Sequence, residues 1–243
     1  MIQAIAGMFS RKTCRTHNLR TGIDLDRIFY NLALSDEWEK HRPALDGLGI
    51  PDGTGGVNPG DRRAIWYLTR SLGPMNALEI GTHIGASTVH FASALRGTPG
   101  RLTTVDVADV NAVIDPSPLS LVERIGCGRY VEFVQSSSLA YLKSTRRQYD
   151  MIFLDGDHRE AAVYREIPAA LERLAPGGIV LLHDYFPGLM PLWNNGAMIP
   201  GPYLAVNRLA MEGNKLGVVP LGSLPWPTKC GTSITSLAVL VRQ

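Results

Sequence analysis

Two short polar clusters, each directly after a run of apolar residues, carry the side chains best suited to chemistry. Asp155-Gly156-Asp157-His158 follows Phe153-Leu154, and His183-Asp184-Tyr185 follows Leu181-Leu182. Such apolar runs are typical of buried parallel strands, whose carboxyl ends meet at one edge of a sheet. Several acids in a partly desolvated cleft need a cation or a proton among them. The two clusters therefore predict a site that binds a metal ion or transfers protons.

A glycine-rich turn between a strand and a helix forms a second candidate site. An apolar run ends at Glu79 and Gly81, and Gly85 follows four positions later. Residues with helical apolar spacing come next. Gly81 permits a tight turn and lets a ligand approach the backbone, whereas Gly85 removes a side chain where helix meets strand. The free N–H groups of a helix start suit a carboxylate or a phosphate, and Thr82 and Ser87 lie in the same stretch.

The stretch Glu79-Ile80-Gly81-Thr82-His83-Ile84-Gly85 resembles the first motif of class I S-adenosylmethionine (SAM) dependent methyltransferases, Glu/Asp-x-Gly-x-x-x-Gly. The resemblance extends over roughly residues 60–243. The dinucleotide fingerprint Gly-x-Gly-x-x-Gly lacks its third glycine here, which disfavours an NAD-linked oxidoreductase. An ordinary strand-to-helix turn in another α/β protein is the remaining alternative.

This resemblance implies a role for each strand end. The glycine turn holds the methionine part of SAM, and Asp106, at the end of the second strand, accepts the ribose hydroxyls. Ser136 and Ser137 border the adenine, although relatives often have Gly-Asp there and the acid is absent from this chain. The predicted cofactor-binding residues are Glu79, Gly81, Thr82, Gly85, Ser87, Asp106, Ser136, Ser137 and Asp155.

The two polar clusters resemble those of the metal-assisted O-methyltransferases, both the catechol type and the bacterial macrocin and cephalosporin-hydroxylase-like branch. The resemblance implies that Asp155, His183 and Asp184 bind a divalent cation, Mg²⁺ or Mn²⁺. His183 departs from the family pattern, because the bacterial branch usually has a second acid there. An imidazole shifts the preference from Mg²⁺ toward Mn²⁺, Fe²⁺ or Zn²⁺, unless His183 only orients Asp184 or the substrate.

His158 falls where catechol-type relatives carry a catalytic lysine, and a histidine can deprotonate a hydroxyl near neutral pH. The predicted catalytic residues are His158, Asp157 and His183. A solvent-facing residue at a helix start is the alternative for His158. Trp193, Tyr203 and Trp226 are candidates to stack on the acceptor, or else core or dimer contacts.

Together these resemblances imply a SAM-dependent O-methyltransferase that acts on a hydroxyl of a small molecule. Two alternatives stay open: a SAM-binding protein without catalysis, and an N-methylating or hydroxylase-like member of the same fold. The constellation of Asp155, His158 and Asp184 disfavours the first alternative, because a protein that only binds SAM would not need it.

The alternation of strands and helices predicts an α/β fold with a Rossmann-like, doubly wound and mostly parallel sheet. We expect an antiparallel pair at the edge of that sheet near the C-terminus. Pro168 should kink or restart the helix in which it lies. The predicted strands span 77–81, 102–106, 131–135, 149–155, 178–184, 217–221 and 236–241.

The sequence predicts an N-terminal helical arm or cap over residues 1–58 and a SAM-binding domain over residues 59–243. The glycine-rich segment 51–60 is either a connector or a lid. Residues 24–41 have helical spacing with Asp24 as the cap. Residues 1–23 contain no acid and several basic residues, which fits a basic arm that contacts a partner or an organellar transit peptide.

Composition limits the function classes. A net charge of +2 with 19% charged residues gives no reason to expect a nucleic-acid or membrane partner, and no apolar run has the length of a membrane span. The 3 cysteines are scattered, which disfavours a disulfide framework or a zinc cluster and favours a reducing compartment, the cytoplasm. We expect a small hydroxylated acceptor as partner and a homo-oligomer, such as a dimer.

Overall fold

The structure, a computed structural model, describes residues 23–53 and 56–242. Its centre is a seven-stranded sheet of order β3-β2-β1-β4-β5-β7-β6, in which β1 to β5 are parallel and β7 is antiparallel to both of its neighbours. The predicted Rossmann-like sheet with an antiparallel C-terminal edge is therefore confirmed. The strands are β1 Asn76–Ile80, β2 Arg101–Asp106, β3 Val131–Gln135, β4 Tyr149–Leu154, β5 Leu174–Leu182, β6 Leu216–Pro220 and β7 Ala238–Arg242.

Helices cover both faces of the sheet, which explains why its central strands are apolar along their whole length. In β4, Phe153 packs into the core on one face, and Ile152 and Leu154 pack into the core on the other. The helices are α1 Leu25–Phe29, α2 Leu32–Asp46, α3 Pro59–Leu72, α4 Ala86–Leu95, α5 Val110–Val113, α6 Pro118–Arg124, α7 Ser138–Ser144, α8 Glu160–Glu172 and α9 Gly201–Met211. Short 3₁₀ turns lie at Gly128–Tyr130 and Pro187–Leu189.

Three predicted element boundaries are wrong. The single helix expected over residues 24–41 is two helices, because Asn31 is extended and its side chain accepts a hydrogen bond from Leu34 N–H, which starts α2. Helix α8 continues across Pro168 instead of restarting, since Ile167 and Ala170 on either side are fully buried against the sheet. Strand β5 spans Leu174–Leu182 instead of 178–184, so His183 and Asp184 follow the strand.

The N-terminal helices pack directly on the main body. Leu25 and Phe29 of α1 and Trp38 of α2 belong to the same apolar core as α3 and α4, and the Trp38 ring meets the Trp66 ring edge-on at 5.4 Å. The division at residue 58 stays a prediction. The predicted basic arm lies outside the described residues, as do residues 54–55 of the glycine-rich segment.

No helix in residues 23–53 and 56–242 is long enough and apolar enough to cross a membrane.

Candidate active site

A cleft of about 610 Å³ lies at the carboxyl ends of β1 to β4, a size suited to a cofactor. Backbone hydrogen bonds continue the sheet past these strand ends and bring the turns side by side. Gly81 N–H donates to Val105 O, Asp155 N–H to Ile80 O, and His183 N–H to Leu154 O. The cleft is lined by 81–84, Ser87, Asp106, Ser136, Ser137, Ser138, 155–159 and Glu166, among others.

The turn after β1 needs glycine because it touches the turn after β4. Gly81 has φ 96°, and a Cβ there would lie 2.2 Å from the carbonyl oxygen of Asp155. Gly85 also has positive φ, 77°, and directly precedes α4. Gly81 therefore shapes the cleft wall on which the Asp155 turn rests, whereas a Cβ at Gly85 would meet Pro118. The cofactor contacts predicted for both glycines stay predictions.

Asp106 anchors the same turn. Its Oδ2 accepts hydrogen bonds from the N–H groups of Thr82 and His83, at 3.1 and 3.0 Å, and its Oδ1 accepts one from Ala108 N–H at 3.0 Å. Asp106 also lines the cleft, so its carboxylate both holds the turn and faces the space where a ligand would lie. Its role toward a ribose stays a prediction.

Glu79 lies behind the turn instead of in the cleft. It is fully buried and accepts hydrogen bonds from the hydroxyls of Ser87, Thr88 and Thr104, at 2.5, 2.6 and 2.7 Å. Burial raises the pKa of Glu79 to about 7, against the opposing effect of these hydroxyls. In this structure Glu79 holds the start of α4 against β2, and the cofactor contact predicted for it stays a prediction.

The segment after β3 forms the far wall of the cleft. Ser136 N–H donates to the carbonyl oxygen of Asp106, and Ser137 caps α7 by accepting from Ala140 N–H at 3.3 Å. Both serines line the cleft, as predicted for residues that border a base. Their ligand contacts stay predictions.

Three side chains of the two polar clusters converge beside the cleft. One ligand atom from each of Asp155, His158 and Asp184 lies within 4.8 Å of the others, and His158 Nδ1 is 3.5 Å from Asp184 Oδ2. Asp184 has φ 53°, a conformation that few non-glycine residues adopt and that often marks functional sites. Two carboxylates and one imidazole fit a divalent cation, with Mn²⁺, Fe²⁺ or Zn²⁺ favoured over Mg²⁺ by the nitrogen ligand.

His183 does not join this group. Its Nδ1 contacts Asp155 Oδ1 at 2.7 Å and its Nε2 contacts Asp61 Oδ2 at 3.3 Å, so each ring nitrogen already faces a carboxylate. Burial alone lowers the pKa of His183, but the carboxylates of Asp155, Asp184 and Asp61 raise it well above 6.5. Both ring nitrogens of His183 thus face carboxylates in this structure, and its predicted roles as metal ligand and as catalytic base stay predictions.

Asp61 is a site residue that the sequence analysis missed. It lies in the first turn of α3, fully buried, and its Oδ2 also accepts a hydrogen bond from Asn58 Nδ2 at 2.7 Å. Its Oδ1 has no hydrogen-bond partner among the described residues. The helix start Asn58-Pro59-Gly60-Asp61 was visible in the sequence, but the contact with His183 spans 122 positions and no local pattern indicates it.

Asp157 is held in a local ion pair. Arg159 Nε donates to both of its carboxylate oxygens at 2.9 Å, and Arg159 N–H donates to one of them. The Arg159 guanidinium lowers the pKa of Asp157 to about 2, which leaves a carboxylate too weakly basic to remove a proton from a hydroxyl. The ion pair disfavours Asp157 as a base, and the catalytic role predicted for this cleft residue stays a prediction.

Glu166 is a second residue that the sequence analysis missed. It reaches the cleft from α8, and it is only 3% exposed. The hydroxyl of Ser138 donates to its Oε1, and burial raises the pKa of Glu166. The available signal was an acid on the apolar face of a helix, beside Val163, Ile167 and Ala170.

The two tryptophans suggested for acceptor stacking are core residues. Trp226 donates from Nε1 to Gly60 O and packs on Tyr67 and Phe29. Trp193 packs edge-on against Phe186 and donates to Ile234 O. Tyr203 is partly exposed and lies 5.6 Å from the Tyr185 ring, so it remains available to an acceptor.

Comparison with known proteins relates the part of the chain that forms the cleft to methyltransferases. Residues 78–185 match the family model described as "Methyltransferase domain". The O-methyltransferase hkm8 of Aspergillus hancockii is 24% identical over 128 residues, which are 52% of this chain and 50% of that protein. The chain thus matches only about half the length of this curated relative.

Solved structures share the fold. The O-methyltransferase from Bacillus cereus, in complex with S-adenosylhomocysteine (SAH), has a TM-score of 0.60 at 20% identity and covers 90% of this chain and 100% of its own. TomG from Streptomyces achromogenes, in complex with SAM, has a TM-score of 0.57 at 20% identity and covers 91% of this chain and 100% of its own. The SAH-bound methyltransferase PaMTH1 of Podospora anserina has a TM-score of 0.59 at 20% identity, covering 87% of each chain.

Proposed function

We propose that the chain is a SAM-dependent O-methyltransferase for a small hydroxylated acceptor, with a divalent cation at Asp155, His158 and Asp184. The convergence of these three side chains beside the cleft carries the proposal. Support comes from the methyltransferase domain match and from an O-methyltransferase relative. Structural neighbours with bound SAM or SAH give further support.

The cleft offers complementary groups for each part of SAM. The glycine turn and the start of α4 present backbone N–H groups to the methionine carboxylate. Asp106 faces the ribose, and the segment after β3 borders the base. In this orientation the methyl group of SAM points toward Asp155 and His158. These two residues line the cleft and belong to the cluster formed with Asp184.

In the reaction, the acceptor oxygen forms a bond to the methyl carbon while the sulfonium–methyl bond breaks and SAH leaves. A bound cation would lower the pKa of the acceptor hydroxyl, so that its proton would pass to solvent water as the oxygen is methylated. Asp155 and Asp184 hold their carboxylates at the centre, and His183 fixes Asp155 through its 2.7 Å contact. Aligning the two reactants supplies a large part of the rate enhancement.

A cation-free mechanism is the second candidate, because His158 has the geometry of a base oriented by an acid. Its Nδ1 faces Asp184, and its side chain is 37% exposed toward solvent. In this mechanism His158 takes the hydroxyl proton and Asp184 stabilises the resulting imidazolium.

Chelation separates the two mechanisms. With a cation, EDTA abolishes turnover, added Mn²⁺ restores it in the wild type, and neither Asp155→Asn nor Asp184→Asn recovers. The exposed Glu172→Gln at the end of α8 is the control and keeps both the wild-type rate and the cation dependence. Full activity in EDTA, with a loss of about 10²–10⁴ in His158→Ala, would establish the cation-free mechanism. Full activity in EDTA with a wild-type rate for His158→Ala would contradict both.

A further inference from the structure

Among the described residues, one carboxyl oxygen of the buried Glu166 accepts a hydrogen bond and the other does not. Ser138 Oγ donates to Oε1, which fixes the side chain against the start of α7. No hydrogen bond to Oε2 exists among the described residues, although the residue lines the cleft and is 3% exposed. An acceptor oxygen held in this way inside a cleft is suited to a donor on the ligand.

The order of the strands indicates which part of SAM lies there. In SAM, the methionine chain and the adenine base are attached at opposite ends of the ribose. If the amino-acid end lies on the turn after β1 and the ribose lies at Asp106 after β2, the base must extend toward the end of β3. Ser136, Ser137 and Ser138 follow β3, and Glu166 joins the cleft through Ser138.

The chemistry of that end fits adenine. An adenine ring has one exocyclic amine, which only donates, and its ring nitrogens only accept. The segment after β3 carries three serines and no acid, so the carboxylate reaches the cleft from α8 instead. Asp157 also lines the cleft, but Arg159 occupies both of its oxygens.

We propose that Glu166 accepts a hydrogen bond from the exocyclic amine of adenine and thereby makes the cleft selective for an adenosine cofactor. This inference rests on the proposed binding of SAM. It assigns cofactor-base recognition to helix α8, which contacts the segment after β3 through Ser138.

The test compares two ligands by calorimetry: SAH, and the SAH analogue whose purine carries hydrogen in place of the amine. The wild type should bind the analogue about tenfold or more weakly, since the buried carboxyl group of Glu166 loses one hydrogen bond. In Glu166→Met, which keeps the side-chain length without polar atoms, the ratio of the two dissociation constants should fall to within twofold. Glu172→Met, an exposed acid on the same helix, is the matched control and should keep the wild-type ratio.

The outcomes are distinguishable. If neither ligand binds the wild type, the proposed function fails and this inference fails with it. If SAH binds but the wild type does not discriminate, or if Glu166→Met keeps the wild-type ratio, only the inference is overturned and Glu166 merely links α7 to α8. If Glu166→Met does not fold, the comparison of the two ligands in the wild type still tests the inference. Ser138→Ala, which frees the carboxyl group of Glu166 to move, should then reduce the ratio of the two dissociation constants.

Discussion

The two histidines of the active centre differ in their carboxylate neighbours, and these neighbours decide what each ring can do. His183 is buried between Asp155 and Asp61, which fixes it as a bridge from β5 to the start of α3. His158 is more exposed, and its Nδ1 lies 3.5 Å from Asp184 Oδ2. The first histidine can stabilise and position its neighbours, whereas the second can bind a cation or take a proton.

The contact between Asp61 and His183 predicts a large effect on protein stability at Asp61, a residue that does not line the cleft. Asp61→Ala leaves the buried His183 Nε2 without a partner and should lower the free energy of unfolding by about 3 kcal/mol. Urea denaturation of both proteins measures this change. The exposed Asp36→Ala on α2 is the control and should change it by less than about 0.5 kcal/mol. A loss below about 1 kcal/mol in Asp61→Ala would show that the bridge contributes little.

For individual residues, the sequence predicts which residue types form the site better than it predicts which side chains contact one another. The acids and histidines that end β4 and β5 were visible as clusters, and the structure brings Asp155, His158 and Asp184 together. The contact of Asp61 with His183 could not be predicted, because it depends on chain packing across 122 positions.

Helix α4 shows how a whole element is shaped by its position. All of its residues are buried, since it lies between the sheet and the helices α2 and α3. His90 of α4 donates from Nδ1 to Ala86 O at 2.7 Å and stacks on Trp38. Burial lowers the pKa of His90 to about 3, and the nearby Arg62 adds to the effect.

The neutral state of His90 predicts a pH-dependent stability. The unfolded chain binds a proton at this residue below about pH 6.5, whereas the folded chain does so only near pH 3. The contribution of neutral His90 to the free energy of unfolding is therefore complete above pH 6.5. It falls by about 1.4 kcal/mol for each pH unit as the pH is lowered from 6.5 toward 3. Unfolding free energies of the wild type and His90→Gln, measured from pH 8 to pH 4.5, should differ by an amount that follows this slope. A pH-independent difference would contradict the buried neutral ring.

For the whole molecule, the alternation of apolar strands and helices was sufficient to predict the sheet and its antiparallel edge. Element ends were less predictable, because tertiary packing carries α8 across Pro168 and a side-chain cap divides α1 from α2 at Asn31. The sequence left open whether Trp193 and Trp226 are core residues or stack on an acceptor. Their partners Phe186, Tyr67 and Phe29 place them in the core and are not indicated by any local pattern.

The proposal as a whole is that this chain transfers a methyl group from SAM to an oxygen. The most direct measurement supplies SAM with a trideuterated methyl group, Mn²⁺ and a panel of hydroxylated small molecules, and follows both products by mass spectrometry. We predict an acceptor that carries the deuterated methyl group on oxygen and an equal amount of SAH, with neither formed by Asp155→Asn. Deuterated methyl found only on nitrogen or carbon, or intact SAM recovered with every acceptor, would contradict the account.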